Sequence, residues 1–375
     1  MEKTILAICY DFDKTLSPND MQAQGFIQSV GYDVENFWKE SNDLASENDM
    51  DQNLAYMYMM LNRSTGKVLF TKETLENYGI KVQLFPGVDT WFDRIDNYGL
   101  TKGIEVEHYI ISSGLKEMIE GTKIANKFKK IYASSFYFNE QKVAVWPAQV
   151  VNYTNKTQFL FRIEKGVLDV NDQGVNSYYE PNKYRVPFRN MIYIGDSDTD
   201  IPCMKLVNTN GGHSIGVYNS DTKDKSKVFR MLDENRIKYF APADYTKGSK
   251  LECLVKKIID RTATNEILED IHSECVSQKN DEMKCQSEEE LKKEALIDKL
   301  EDSTNFKNTH AIIDQLKMID EWTDKQKTKL IQIALDNSQV WYILNDDDIK
   351  KFYMSICENY NSDNANKVLS EIQKS

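Results

Sequence analysis

Apolar residues fall in short runs through the first two thirds of the chain and at helical spacing through the last third. Ile5-Leu6-Ala7-Ile8-Cys9-Tyr10, Val106 to Ile111 and Met191-Ile192-Tyr193-Ile194 each end in a loop of Asp, Ser, Gly or Asn. Runs of that length, closed by turn residues, predict buried strands. Between them, Val88 to Tyr98 and Leu115 to Phe128 carry helical periodicity. Strand alternating with helix predicts an α/β fold with a parallel sheet. Residues 136–146, with Asn139-Glu140-Gln141 in the middle, predict a hairpin. Residues 17–85 break the alternation. Asn36 to Leu44 and Asp51 to Leu61 read as helices there, with no buried strand beside them, so this segment is expected to be an inserted helical cap.

From residue 262 to the end the chain has none of its 16 glycines and none of its 7 prolines. A stretch without either breaker is expected to be helical. Ser287 with Glu290, and Thr323 with Gln326, fit the reciprocal pattern that satisfies the orphan N–H groups of a helix start. Asn345 ahead of Asp346, Asp347 and Asp348 predicts another start. Ile312, Leu316 and Ile319 share a helical stripe, as do Ile349, Phe352, Tyr353 and Ile356. Residues 262–290, rich in Glu, Asp, Ser and Lys, read as a linker or a solvated helix. The expected division is therefore a core of residues 1–16 and 86–261, a cap of residues 17–85 and an acidic, all-helical C-terminal domain of residues 262–375.

Charge sharpens this division. The whole chain carries −12, with 47 Lys and Arg against 59 Asp and Glu, and residues 262–375 account for −10 of it. A general binder of nucleic acid or anionic membrane would need a basic footprint instead. No apolar run approaches the ~20 residues of a membrane span. The start at Met1-Glu2-Lys3 leads into only a short apolar run, which predicts a cytoplasmic protein. The six cysteines are scattered and read as reduced thiols.

The chemistry gathers where the predicted strands end. The first runs into Asp11-Phe12-Asp13-Lys14-Thr15-Leu16, the second ends at Ser112-Ser113-Gly114, and the third ends in Gly195-Asp196-Ser197-Asp198-Thr199-Asp200. Lys156 follows Asn155 at a predicted helix start. Ligands of open α/β sheets bind beyond the carboxyl ends of strands, so these segments should converge. Asp11, Asp13, Asp196 and Asp200 would then crowd one crevice, where like charges need compensation. A hard cation such as Mg²⁺ with oxygen ligands supplies it, and Lys156 adds a positive charge. A metal, a cation and a hydroxyl around a carboxylate suit phosphoryl transfer.

The set resembles the haloacid dehalogenase (HAD) superfamily of phosphohydrolases, in its helical-cap, phosphoserine-phosphatase-like branch. Asp11 to Leu16 matches the first motif, Ser112 the second, Lys156 the third, and Gly195-Asp196 with Asp200 the fourth. The resemblance covers roughly residues 1–260. It implies a Rossmann-like core, with the cap inserted between Leu16 and Ile104. It also implies that Asp11 is the nucleophile and Asp13 the general acid and base. Asp11, the Asp13 carbonyl and Asp196 would hold Mg²⁺. Ser112, Ser113 and Gly114 would hold the phosphoryl oxygens, and Lys156 would neutralise charge. Asp200 would orient Lys156 or a metal-bound water, and Thr15 would brace the loop through hydrogen bonds. The expected substrate is a small phosphomonoester.

Two rivals stand beside a phosphatase: a phosphomutase using the same Asp11 and Asp13, and a binding protein whose helical tail recruits a protein partner. Weaker signals read as follows. Tyr56-Met57-Tyr58-Met59-Met60 is expected to pack in a core rather than form a lid. His213 is expected to be a hydrogen-bonded loop residue. Asp198 reads as a turn residue, and Leu168 to Pro187 as a solvated loop or a contact surface. Ser113 to Lys116 matches a serine acyl-enzyme motif without its partners. His272, Cys275 and Cys285 lack paired zinc-ligand spacing.

Overall fold

The computed structural model describes residues 4–180, 183–222, 224–285, 288–358 and 360–373. A seven-stranded sheet organises the first part: β1 Thr4–Tyr10, β2 Ile104–Leu115, β3 Lys130–Phe138, β4 Ala144–Gln149, β5 Met191–Gly195, β6 His213–Tyr218 and β7 Tyr239–Pro242. Their order is β4-β3-β2-β1-β5-β6-β7. All pairings are parallel except β3 with β4, which is the hairpin expected around Asn139. The sheet is thus a Rossmann-like parallel one with a single antiparallel edge.

β1 lies in the middle and is buried on both faces, as central parallel strands are. Leu6, Ile8 and Tyr10 face one apolar core and Ala7 and Cys9 the other. The helices in chain order are α1 Phe26–Ser29, α2 Val34–Glu47, α3 Gln52–Ser64, α4 Lys72–Ile80, α5 Val88–Thr101, α6 Lys116–Glu120, α7 Lys156–Lys165, α8 Ile201–Thr209, α9 Ser226–Asp233 and α10 Lys250–Cys285. The first four lie between β1 and α5. Asp33, Asp51 and Thr71 cap α2, α3 and α4 by accepting backbone N–H bonds.

The helix expected from Leu115 to Phe128 is shorter than its periodicity. α6 stops at Glu120, and only one tight turn, Ala125–Lys127, follows. The α6 C-cap, Gly121, packs so closely on α4 that a Cβ there would stand 2.0 Å from the Glu76 carbonyl oxygen. Tertiary packing therefore overrides local propensity.

The chain divides into two compact units, Met1–Glu269 and Asp270–Ser375. The boundary expected after Arg261 falls later, after Glu269; both points lie inside α10, which no Gly or Pro interrupts. Thr262 is buried, and Glu266 accepts bonds from Arg189 and Asn190, which ties this stretch to the first unit. Beyond it, residues 267–282 of α10 are exposed.

The second unit contains α11 Glu288–Glu301, α12 Phe306–Leu316, α13 Asp324–Asp336, α14 Ser338–Tyr342, α15 Asp347–Cys357 and α16 Asp363–Ile372. It has its own core, which includes Leu316, Ile349, Phe352, Tyr353 and Ile356. Thr323 and Gln326 form the expected reciprocal cap of α13. The start expected with Ser287 lies outside the described residues. The cap expected at Asn345 is displaced by one residue: Asp346 holds the N-cap position, and its carboxylate is spent on His310 at 3.1 Å. No described helix is long and apolar enough to cross a membrane.

Candidate active site

Asp11 is the first residue beyond β1, and its backbone N–H donates to Ile194 of β5 at 2.9 Å. This bond seats it at the junction of two central strands. The next turn is sharp. Lys14 takes a φ of 59°, and the Phe12 carbonyl accepts from the N–H groups of Thr15, Leu16 and Ser17. Asp13 is thereby turned to the same side as Asp11, and its Oδ1 accepts from the Met21 N–H at 2.7 Å.

β2 supplies the second segment. Its pairing with β3 shifts register between Ser112 and Leu115, so Ser113 and Gly114 leave the ladder. Irregularities of this kind re-aim backbone beside functional sites. The Ser112 hydroxyl accepts from the Gly114 N–H at 3.1 Å. A Cβ on Gly114 would stand 2.5 Å from Met21 Cε and 3.0 Å from Asp13 Oδ2, so this position brings the two segments into direct contact.

Lys156, at the start of α7, is fully buried, and its ammonium donates to Asp11 Oδ1 at 3.2 Å and Asp200 Oδ1 at 2.7 Å. Asp200 is fully buried too, and it accepts from the Tyr193 hydroxyl at 3.0 Å and from the Ser197 N–H and hydroxyl. Carboxylate oxygens of Asp11, Asp196 and Asp200 lie within 4.8 Å of one another. All four sequence segments therefore meet at the carboxyl ends of β1, β2 and β5.

The electrostatics follow from that crowding. Burial and the neighbouring Asp200 push the Asp11 carboxyl up to about 6 against the pull of Lys156. Burial, then Asp200 and Asp11, raise Asp196 to about 8. Burial, with Asp20 and Asp11, holds Asp13 well above the usual carboxylate range. Burial opposes the Lys156 charge, but Asp11 and Asp200 outweigh it and keep the ammonium protonated. One buried ammonium among these carboxylates leaves negative charge over. Their oxygen-only donor set fits a hard divalent cation such as Mg²⁺.

A cavity of about 510 Å³ opens over the carboxylates, within the range of small-molecule sites. Asp11, Asp13, Ser112, Ser113, Gly114 and Asp196 line it. Lys156 does not reach its wall. Cap residues close the other side, and α3 is pinned to the core. Asp51 Oδ2 accepts from the Asn152 side chain at 2.6 Å, Asn53 donates to the Val151 carbonyl at 2.7 Å, and Tyr56 donates to the Ser113 carbonyl at 2.7 Å.

Several expectations need correction. The Thr15 hydroxyl is buried without a hydrogen-bond partner; the loop is braced instead by the Thr15 carbonyl, which accepts from Tyr245 at 2.9 Å. His213 opens β6 at the end of that strand away from the cavity, and its Nδ1 has no partner, so it is not a hydrogen-bonded loop residue. Burial lowers it to about 4. The Tyr-Met run splits: Met57, Met59 and Met60 are core, Tyr58 is exposed, and Tyr56 reaches the site. Asp198 pairs with Arg230 at 2.7 Å on an exposed turn. Cys275 is exposed on α10.

Sequence reasoning missed Lys227 of α9, whose ammonium stands 3.8 Å from Asp196. A lone lysine carries no signal in sequence. It also missed Asp51 and Trp38 in the cavity wall. Asp51 was legible only as the start of a predicted helix.

No family model matches the chain. An uncharacterised protein of Borreliella burgdorferi is 30% identical over 279 residues, covering 66% of this chain and 94% of that protein. Among solved structures, a HAD family hydrolase of Salmonella enterica serovar Typhi overlaps 67% of this chain and 70% of its own at 18% identity, with a TM-score of 0.45. A probable phosphoserine phosphatase of Vibrio cholerae overlaps 70% and 67% at 13% identity, with a TM-score of 0.46.

Proposed function

The chain belongs to the family of the Borreliella burgdorferi protein, and we propose that it is a HAD-type, Mg²⁺-dependent phosphomonoester hydrolase acting on a small phosphorylated substrate. The observation that carries this reading is the pairing of two carboxyl groups with opposite tasks in one turn. Asp11 stands 3.2 Å from the Lys156 ammonium, which favours the ionised form that a nucleophile needs. Burial pushes the Asp13 carboxyl up, the direction that suits a general acid.

Asp11 attacks phosphorus, a new O–P bond forms, and the bond to the leaving oxygen breaks. Asp13 gives its proton to that oxygen. The resulting aspartyl-phosphate splits one hard step into two. Asp13, now ionised, takes a proton from water as the water attacks phosphorus, and Asp11 is released. The Ser112 hydroxyl, held by the Gly114 N–H, and the Ser113 N–H receive the phosphoryl oxygens. Lys156, itself oriented by Asp200, offsets the charge on Asp11 throughout.

Asp11, the Asp13 carbonyl and Asp196 would hold Mg²⁺, which supplies electrostatic stabilisation to the transferring phosphoryl group. A location in the cytoplasm is part of the same proposal. A phosphomutase would share the chemistry at Asp11, but nothing in the cavity favours it.

The test is inorganic phosphate release from a panel of phosphomonoesters, with and without Mg²⁺, for wild type and Asp11→Asn. Release that needs Mg²⁺ and vanishes in the variant is the expected result. Silence across the panel from folded, Mg²⁺-binding protein would overturn the hydrolase reading.

A further inference from the structure

Resting on that reading, we infer that the substrate is the phosphomonoester of a small amino alcohol, with a cationic amine on its leaving group. The argument is one of charge. Among the described residues, no arginine lines the cavity, and its two lysines are already engaged. Lys14 pairs with Asp20 at 3.0 Å, and Lys227 faces Asp196 at 3.8 Å. A second anionic group on the substrate, whether carboxylate or phosphate, would have to compete with Asp20 or Asp196 for those lysines. Desolvating an unpaired anion is costly, so such compounds are disfavoured.

The cap wall shows the opposite preference. Asp51 lines the cavity, and the partners shown for its carboxylate are neutral: the Asn53 and Leu54 N–H groups at 2.9 and 3.0 Å and the Asn152 side-chain amide at 2.6 Å. These bonds hold its direction, and none of them comes from a cationic side chain. Trp38, Tyr56 and Tyr153 line the same cavity. Aromatic faces attract ammonium groups as carboxylates do, and a desolvated site strengthens both effects. An ammonium is therefore the one substituent that this wall would stabilise by charge.

The experiment compares three substrates of similar size: phosphoethanolamine, glycerol 1-phosphate and 3-phosphoglycerate. The expected kcat/KM for the amine exceeds that for the neutral compound by about tenfold, the scale of one charge-assisted hydrogen bond. The carboxylated compound should fall below both. In Asp51→Asn and Asp51→Ser, which keep an N-capping side chain, the amine-to-neutral ratio should collapse towards one, through KM rather than kcat. Robust phosphate release with glycerol 1-phosphate or 3-phosphoglycerate preferred, or a ratio unmoved by both substitutions, would overturn the inference while leaving the hydrolase reading intact. No release from any of the three, nor from 4-nitrophenyl phosphate, would remove both.

Discussion

Gly114 is where the second motif touches the acid of the first. Its backbone tolerates a side chain, and Met21 Cε, the nearest obstacle, is the movable end of a flexible residue. Asp13 Oδ2, 3.0 Å from the new Cβ, is less free, since Met21 N–H holds the other oxygen. Gly114→Ala should therefore leave the thermal midpoint nearly unchanged and lower kcat by about a hundredfold, the scale of a small misplacement of a reacting group. Paired melting curves and phosphate-release rates would check this. At this scale the sequence was most legible for groups that follow an apolar run directly. Asp11, Asp13, Ser112 and Asp196 are aimed by the strands they end. Asp51 and Lys227 were not legible as site residues because the direction of a cap helix, or of α9, depends on packing between elements. Thr15 shows the reverse limit: its place was readable, but its hydroxyl makes none of the bonds expected of it.

Elements are held by pairs that report on pH. His310 of α12 meets Asp348 at 2.7 Å and Asp346 at 3.1 Å at the start of α15. Partial burial lowers its pKa, but the two carboxylates outweigh this and raise it above the ordinary value. A raised pKa means that the folded state binds the proton more tightly than the unfolded chain. The stabilisation is therefore complete below the unfolded value of about 6.5 and fades as pH rises through the folded value. Urea unfolding of the full chain should show wild type losing its advantage over His310→Gln between pH 5.5 and pH 9. An advantage that grew over that interval would reverse the sign. The same contact explains why the start of α15 was read one residue early. A run of polar residues offers several caps, and a distant histidine selects among the remaining tasks. The overlong reading of α6 has the same origin, since Gly121 is fixed by α4 and not by its neighbours in sequence.

Across the whole molecule, the two units bury separate cores. The groups proposed to be catalytic all belong to Met1–Glu269. A chain ending at Glu269 keeps Glu266 on Arg189 and Asn190, whereas a cut at Arg261 would remove those bonds and the buried Thr262. Truncation after Glu269 is expected to leave kcat within about twofold, because no group of the site is disturbed. Loss of turnover in a folded truncated chain would show that the helical unit takes part in the reaction. The division itself was visible as a change of charge and of glycine content, but its position was not, because α10 crosses it without a break.

The crowded carboxylates at the end of the sheet have a consequence beyond turnover. Their mutual repulsion opposes folding until a cation offsets it, and a ligand that binds only the folded state raises apparent stability. Added Mg²⁺ should raise the melting temperature of wild type, while Asp196→Asn should melt higher than wild type in EDTA and respond weakly to the metal. In a cell the unfolded fraction is what proteases remove. The abundance of this protein would then follow the local supply of divalent cation, and a metal-starved cell would hold fewer copies as well as idler ones.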